Sequence, residues 1–160
     1  MTRHVERLVA IGLAVGLSLQ LGACSIGQWI GIVPLNPLKT LEIVAQTGAN
    51  QGSAAAIDIV WVFDSTAQAA LPKTGPLWFA NKAALQANLA SSLAVVSLEL
   101  APASATQSVP LPSNHGKAIA VLAFANTLDA AGQAVGALTR FKCALITVAP
   151  ASVIYAACPA

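Results

Sequence analysis

Two runs of alternating residues place the strongest limit on what this chain can fold into. Leu41, Ile43 and Ala45 alternate with Glu42, Val44 and Gln46, and Ile57, Ile59, Trp61 and Phe63 alternate with Asp58, Val60, Val62 and Asp64. Side chains of a strand change face at every residue, so each run predicts a half-buried β-strand. Residues 93–100, about 106–111, 117–126, 138–148 and 153–158 also read as extended. Pro102, Pro110 and Pro112 confine the segment near Thr106 to a sheet edge, because proline has no N–H for the ladder. One stretch changes period: Thr74 or Gly75 caps a helix with Pro76 in its first turn. There Trp78, Lys82, Leu85 and Leu89 recur at helical spacing, with Phe79 beside them, up to Ser91. A turn of helix is expected before it, over 65–71. About seven strands and one short helical insertion predict a mainly β chain folded as a two-sheet sandwich.

With 56% hydrophobic and 9% charged residues over 160 positions, the chain is too apolar for intrinsic disorder and long enough for one domain. Its net charge of +2 comes with no basic run, so nucleic acid is excluded as a partner. Chemistry is equally hard to build. Asp58 and Asp64 share a strand face but lie about 20 Å apart, against the roughly 5–9.5 Å that paired carboxylates of a hydrolase need. His115 sits in the turn-forming run 112–116, away from any GxSxG elbow, and no glycine-rich phosphate loop occurs. Trp61 and Trp78 are assigned to the core. The expectation is a non-enzyme with no catalytic residue, metal site, cofactor or small-molecule substrate, acting by binding or as structure.

The N-terminus speaks to location. Arg3 and Arg7 precede an apolar stretch over 8–21, and these 14 residues fall short of the roughly 20 that cross a bilayer as a helix. Residues 1–23 therefore read as an export signal, not a membrane span. The junction Leu21-Gly22-Ala23-Cys24 resembles the lipobox of bacterial lipoproteins. That resemblance implies cleavage before Cys24, acylation of its thiol and, with Ser25 rather than Asp next, sorting to the outer membrane. An ordinary secretory signal cut after Ala23 is the alternative. Two or three acyl chains, each methylene contributing about 0.8 kcal/mol, make such an anchor durable. Residues 24–40, broken by Gly27, Gly31, Pro34 and Pro37, read as a lipidated tether, and 41–160 as the sandwich. Trp29, Ile30, Ile32 and Val33 are apolar for a free linker and suit either the membrane interface or the surface of the body.

Two cysteines remain, Cys143 and Cys158. If Pro150 and Ala151 centre a tight turn between the last two strands, these cysteines face each other. A non-hydrogen-bonded pair of that kind brings Cα atoms to about 4.5 Å, within disulfide range. Export supplies an oxidising compartment, and closing such a loop contributes roughly 3 kcal/mol in the chain-entropy model. Two buried free thiols are the alternative; zinc lacks a CxxC or a second histidine.

Between the first two strands lies Gln46-Thr47-Gly48-Ala49-Asn50-Gln51-Gly52-Ser53, longer than an ordinary hairpin loop and so a place for binding. The order of features now resembles the TssJ-type lipoprotein of the bacterial type VI secretion system. These features are the lipobox at Cys24, a short tether, LEIVAQ, the loop with Asn50, IDIVWVFD, a helical insertion holding Trp78, Phe79 and Leu85, and LPSNHGKAIAVLAFAN. The resemblance implies a transthyretin-like two-sheet β-sandwich with an added helical element, held by lipid on the periplasmic face of the outer membrane. It also implies docking of the periplasmic domain of the inner-membrane subunit TssM, with the loop at residues 46–53 taking part. The cysteine pair and the alanine-rich, charge-poor body depart from the family pattern. A generic cell-envelope lipoprotein, binding or assembling proteins through an exposed strand edge, is the competing class.

Overall fold

The computed structural model describes residues 36–159. The export signal, Cys24 and most of the tether lie outside the described residues. The described residues belong to one compact unit. Eight strands build it: β1 (Thr40–Ala45), β2 (Ala55–Val62), β3 (Leu93–Leu100), β4 (Gln107–Ser108), β5 (Ala120–Asn126), β6 (Gly136–Ala137), β7 (Cys143–Val148) and β8 (Val153–Ala157). They form two four-stranded sheets, ordered β4-β1-β7-β8 and β3-β2-β5-β6. All described pairings are antiparallel except β1 with β7, which run parallel from Thr40 opposite Cys143 to Ala45 opposite Val148. Helices α1 (Ser65–Ala70) and α2 (Gly75–Asn88) follow β2.

The expected mainly β sandwich with one helical insertion is what forms, with two differences in the strands. Residues 138–142 leave the extended state, so the strand expected over 138–148 begins only at Cys143 as β7, and the two-residue β6 precedes it. The segment near Thr106 shrinks to two residues, at a sheet edge as its prolines require. Residues 36–39, expected within the tether, belong to the body: Leu38 is wholly buried, and the Lys39 N–H donates to the Lys142 carbonyl at 2.8 Å.

β2 is not half-buried as its alternation suggests. Ile57, Ile59 and Trp61 fill the core between the sheets, while Val60 and Val62 on the other face lie under the helices. Full burial of such side chains contributes about 1.5–3 kcal/mol each. The helical layer is set by a few contacts. Asp64 caps α1 by accepting from the Ala67 N–H at 2.8 Å, and hydrogen bonds from Ser92 and Ala67 hold its carboxyl below the usual range. Thr74 is the N-cap of α2, with Pro76 in the first turn. Trp78 stacks on Phe124 of β5, with ring centroids 4.8 Å apart and planes 15° from parallel.

At the sheet edges, the ring of Tyr155 on β8 occupies the place where a side chain on Gly136 of β6 would sit, 2.5 Å from a Cβ built there. Burial pushes the Tyr155 phenol up to about 12.

Cys143 and Cys158 are joined by a disulfide. β7 and β8 pair in the register that places them opposite each other, around a turn at Pro150 and Ala151. The pair is of the hydrogen-bonded kind, unlike the close pair considered from sequence. The Cys158 N–H donates to the Cys143 carbonyl at 3.2 Å, and the Cα atoms are 5.4 Å apart. Reduction is expected to slow migration in denaturing gels and to lower stability by about 3 kcal/mol in denaturant titration. Equal mobility with and without reductant, together with two titratable thiols, would remove the bridge.

Candidate partner-binding loop

The loop at 46–53 turns on four left-handed residues. Gly48 has φ 74°, Asn50 47°, Gln51 55° and Gly52 81°. Glycine adopts this region freely and asparagine tolerates it, whereas Gln51 is held there at a cost of order 1 kcal/mol or more. Hydrogen bonds to distant chain offset that cost. The Gln46 N–H donates to the Val148 carbonyl at 2.9 Å, and the Asn50 and Gln51 N–H groups donate at 3.1 Å to the carbonyls of Ala149 and Pro150 in the β7–β8 turn. The Ala103 N–H donates to the Gln46 carbonyl at 3.0 Å, and Ala103 is itself left-handed with φ 60°. Every positive φ among the described residues thus gathers at one end of the sandwich.

Asn50 holds this end together. Its side chain donates through Nδ2 to the Ala54 carbonyl at 2.7 Å and accepts through Oδ1 from the Leu128 N–H at 2.7 Å. The loop, the β7–β8 turn and the segment after β5 are therefore tied by one residue that is 4% exposed. The loop divides accordingly. Ala49 and Asn50 are buried, and the side-chain polar atoms of Asn50 are bonded within the fold, which gives it a bracing role. Gln46, Thr47, Gly48, Gln51, Gly52 and Ser53 are exposed. Sequence reasoning missed Leu128, which stands 62% exposed beside the loop. Its neighbours Thr127, Asp129 and Gln133 spend their side chains on backbone groups of their own segment. Nothing local marks Leu128, since its placement depends on Asn50 far away in the chain.

The residues weighed for catalysis have other partners. Asp58 is buried and bound to Trp78 and Lys82, Asp64 caps α1, and the His115 ring lies 2.9 Å from the Pro112 carbonyl in a turn.

Among solved structures, the chain is similar to the type VI secretion lipoprotein TssJ1 from Pseudomonas aeruginosa, with TM-score 0.54 and 17% identity over 76% of this chain and 95% of that one. It is similar also to Serratia marcescens Lip, a membrane-bound component of the type VI secretion system, with TM-score 0.52 and 12% identity over 76% and 96%. A chain of a type VI membrane complex matches with TM-score 0.52 and 18% identity over 74% and 98%. No protein-family model and no curated protein matches this chain. At these identities the likeness establishes the fold, which is that of the TssJ-type lipoproteins.

Proposed function

We propose that this chain is a TssJ-type lipoprotein, cleaved after residue 23, acylated at Cys24 and held on the periplasmic face of the outer membrane. There it anchors a type VI secretion membrane complex by docking the periplasmic domain of TssM. The observation that carries this reading is the whole-body fold likeness, which spans nearly the full length of lipoproteins and membrane components from that system. The braced loop supports it further. A partner meets a surface whose shape is fixed before contact, so little ordering entropy is lost on binding. Lipid at one end and a docking loop at the other confine the partner near the membrane and raise its effective concentration.

One experiment tests both halves: recovery of the TssM periplasmic domain with the lipoprotein from solubilised membranes. The parent is expected to bring it down. Joint replacement of Gln46, Thr47, Gln51 and Ser53 by alanine, leaving the bracing Asn50 in place, is expected to weaken recovery at least tenfold while the protein stays in the membrane fraction. Cys24→Ser is expected to leave the membrane fraction altogether. Unchanged recovery with the loop variant removes the docking site, and membrane retention of Cys24→Ser removes the anchor.

A further inference from the structure

Four cations scattered through the sequence meet at one end of the fold. Lys39 and Lys142 immediately precede β1 and β7, parallel neighbours that start in register. Val62, at the end of β2, pairs with Ala120, at the start of β5, which puts Lys117 at this same end. Thr139 accepts from the Val121 N–H at 2.9 Å, which brings Arg140 alongside. All four side chains are exposed, and among the described residues none of them is in an ion pair. The acids nearest this end are Asp64, which caps α1, and Glu42, the third residue of β1. Glu99 and Asp129 lie toward the opposite end, and residues 46–54, 101–106 and 149–152 there carry no charge at all.

The described chain also begins at the basic end, where the Asn36 side chain donates to the His115 carbonyl at 3.2 Å. Cys24 precedes Asn36 by 12 residues, a length that reaches at most about 43 Å when fully extended. A lipid on Cys24 is therefore connected along the chain to this end of the body.

We infer that Lys39, Lys117, Arg140 and Lys142 form a membrane-docking face that lies on the anionic headgroups of phospholipids in the bilayer holding Cys24. The strands then stand away from the surface, with the loop at 46–53 outermost. The inference rests on the proposed lipid anchor for its location, while the attraction itself comes from this end of the body. Each Lys or Arg near an anionic surface strengthens binding about fivefold, within a Debye length of about 8 Å at physiological salt.

The test uses residues 25–160, which contain the compact unit and lack the acylated cysteine, sedimented with vesicles. Binding is expected to vesicles of phosphatidylethanolamine with phosphatidylglycerol, to weaken as salt rises, and to be absent with neutral phosphatidylethanolamine and phosphatidylcholine. Replacing Lys39, Lys117, Arg140 and Lys142 together by glutamine is expected to weaken binding roughly a hundredfold or more, with the thermal melt unchanged. Absence of binding by the parent, equal binding to both vesicles, or full binding by the fourfold variant overturns the proposal. A second measurement leaves the sequence unaltered: intact lipoprotein in the same two vesicles is expected to be cut by trypsin at these four positions more slowly on the anionic one, and equal rates also overturn it. Loss of the lipid anchor would show separately, in the membrane fractionation of Cys24→Ser, because the sedimentation assay contains no Cys24.

Discussion

Gly75→Ala is expected to melt about 10 °C or more below the parent. A Cβ at this position falls 1.8 Å from the carbonyl oxygen of Ala125 and 2.7 Å from its carbon. The obstacle is backbone of β5, at the middle of a sheet, and cannot rotate away as a side chain tip would. Relief requires α2 to lift at its first turn, which loosens the stack of Trp78 on Phe124 and the burial beneath it. Overpacking of this kind costs about 3 kcal/mol, and for a body of this size each kcal/mol moves the midpoint by a few degrees. Gly116→Ala is the control: a Cβ there meets nothing within 4 Å, so its melt should match the parent. A Gly75→Ala melt indistinguishable from that control would mean the helix seat is looser than the described packing.

Lys82→Met is expected to lose about 3–5 kcal/mol in urea unfolding, because it strands a buried carboxylate. Asp58 is 2% exposed at its side chain and accepts from Lys82 at 2.8 Å and from the Trp78 indole at 2.7 Å. Lys82 is 27% exposed and also donates to the Ser97 hydroxyl at 2.8 Å. The pair is therefore lopsided. In Asp58→Asn the lysine can turn its charge to water and the amide oxygen can still receive the Trp78 N–H, so the loss should be nearer 1–2 kcal/mol. Combining Asp58→Asn with Lys82→Met removes both charges and should recover part of the loss seen with Lys82→Met alone, a coupling that a double-mutant cycle reads directly. Equal losses in the two single variants would show that Asp58 is as well solvated as its partner.

This pair also marks where sequence stops being informative. Alternation in IDIVWVFD gives a strand, and that strand exists; but whether its second face meets water depends on a helix some twenty residues later. Asp58 looked like a solvent-side residue because Lys82, which neutralises it, is invisible to any local pattern. The Cys143 and Cys158 register was legible for the opposite reason, since a tight turn between neighbouring strands is local geometry. The helix start was equally legible from Thr74 and Pro76. Loop 46–53 was found by its length and glycines, yet its division into bracing and exposed residues follows from Ala149, Pro150 and Leu128, all distant in sequence. The basic face is the same case: four single cations show no run, and only the common starting end of β1, β5 and β7 collects them.

The parallel pairing of β1 with β7 has a mechanical consequence. Tension entering at Asn36 and resisted at residues 46–53 would run along β1, a strand flanked on both sides, and load its six pairings with β7 together in shear rather than peeling them open in turn. Forced unfolding is governed by the rate of crossing the barrier, not by equilibrium stability. A body loaded this way is suited to holding against sudden pulls, even where its static stability is ordinary.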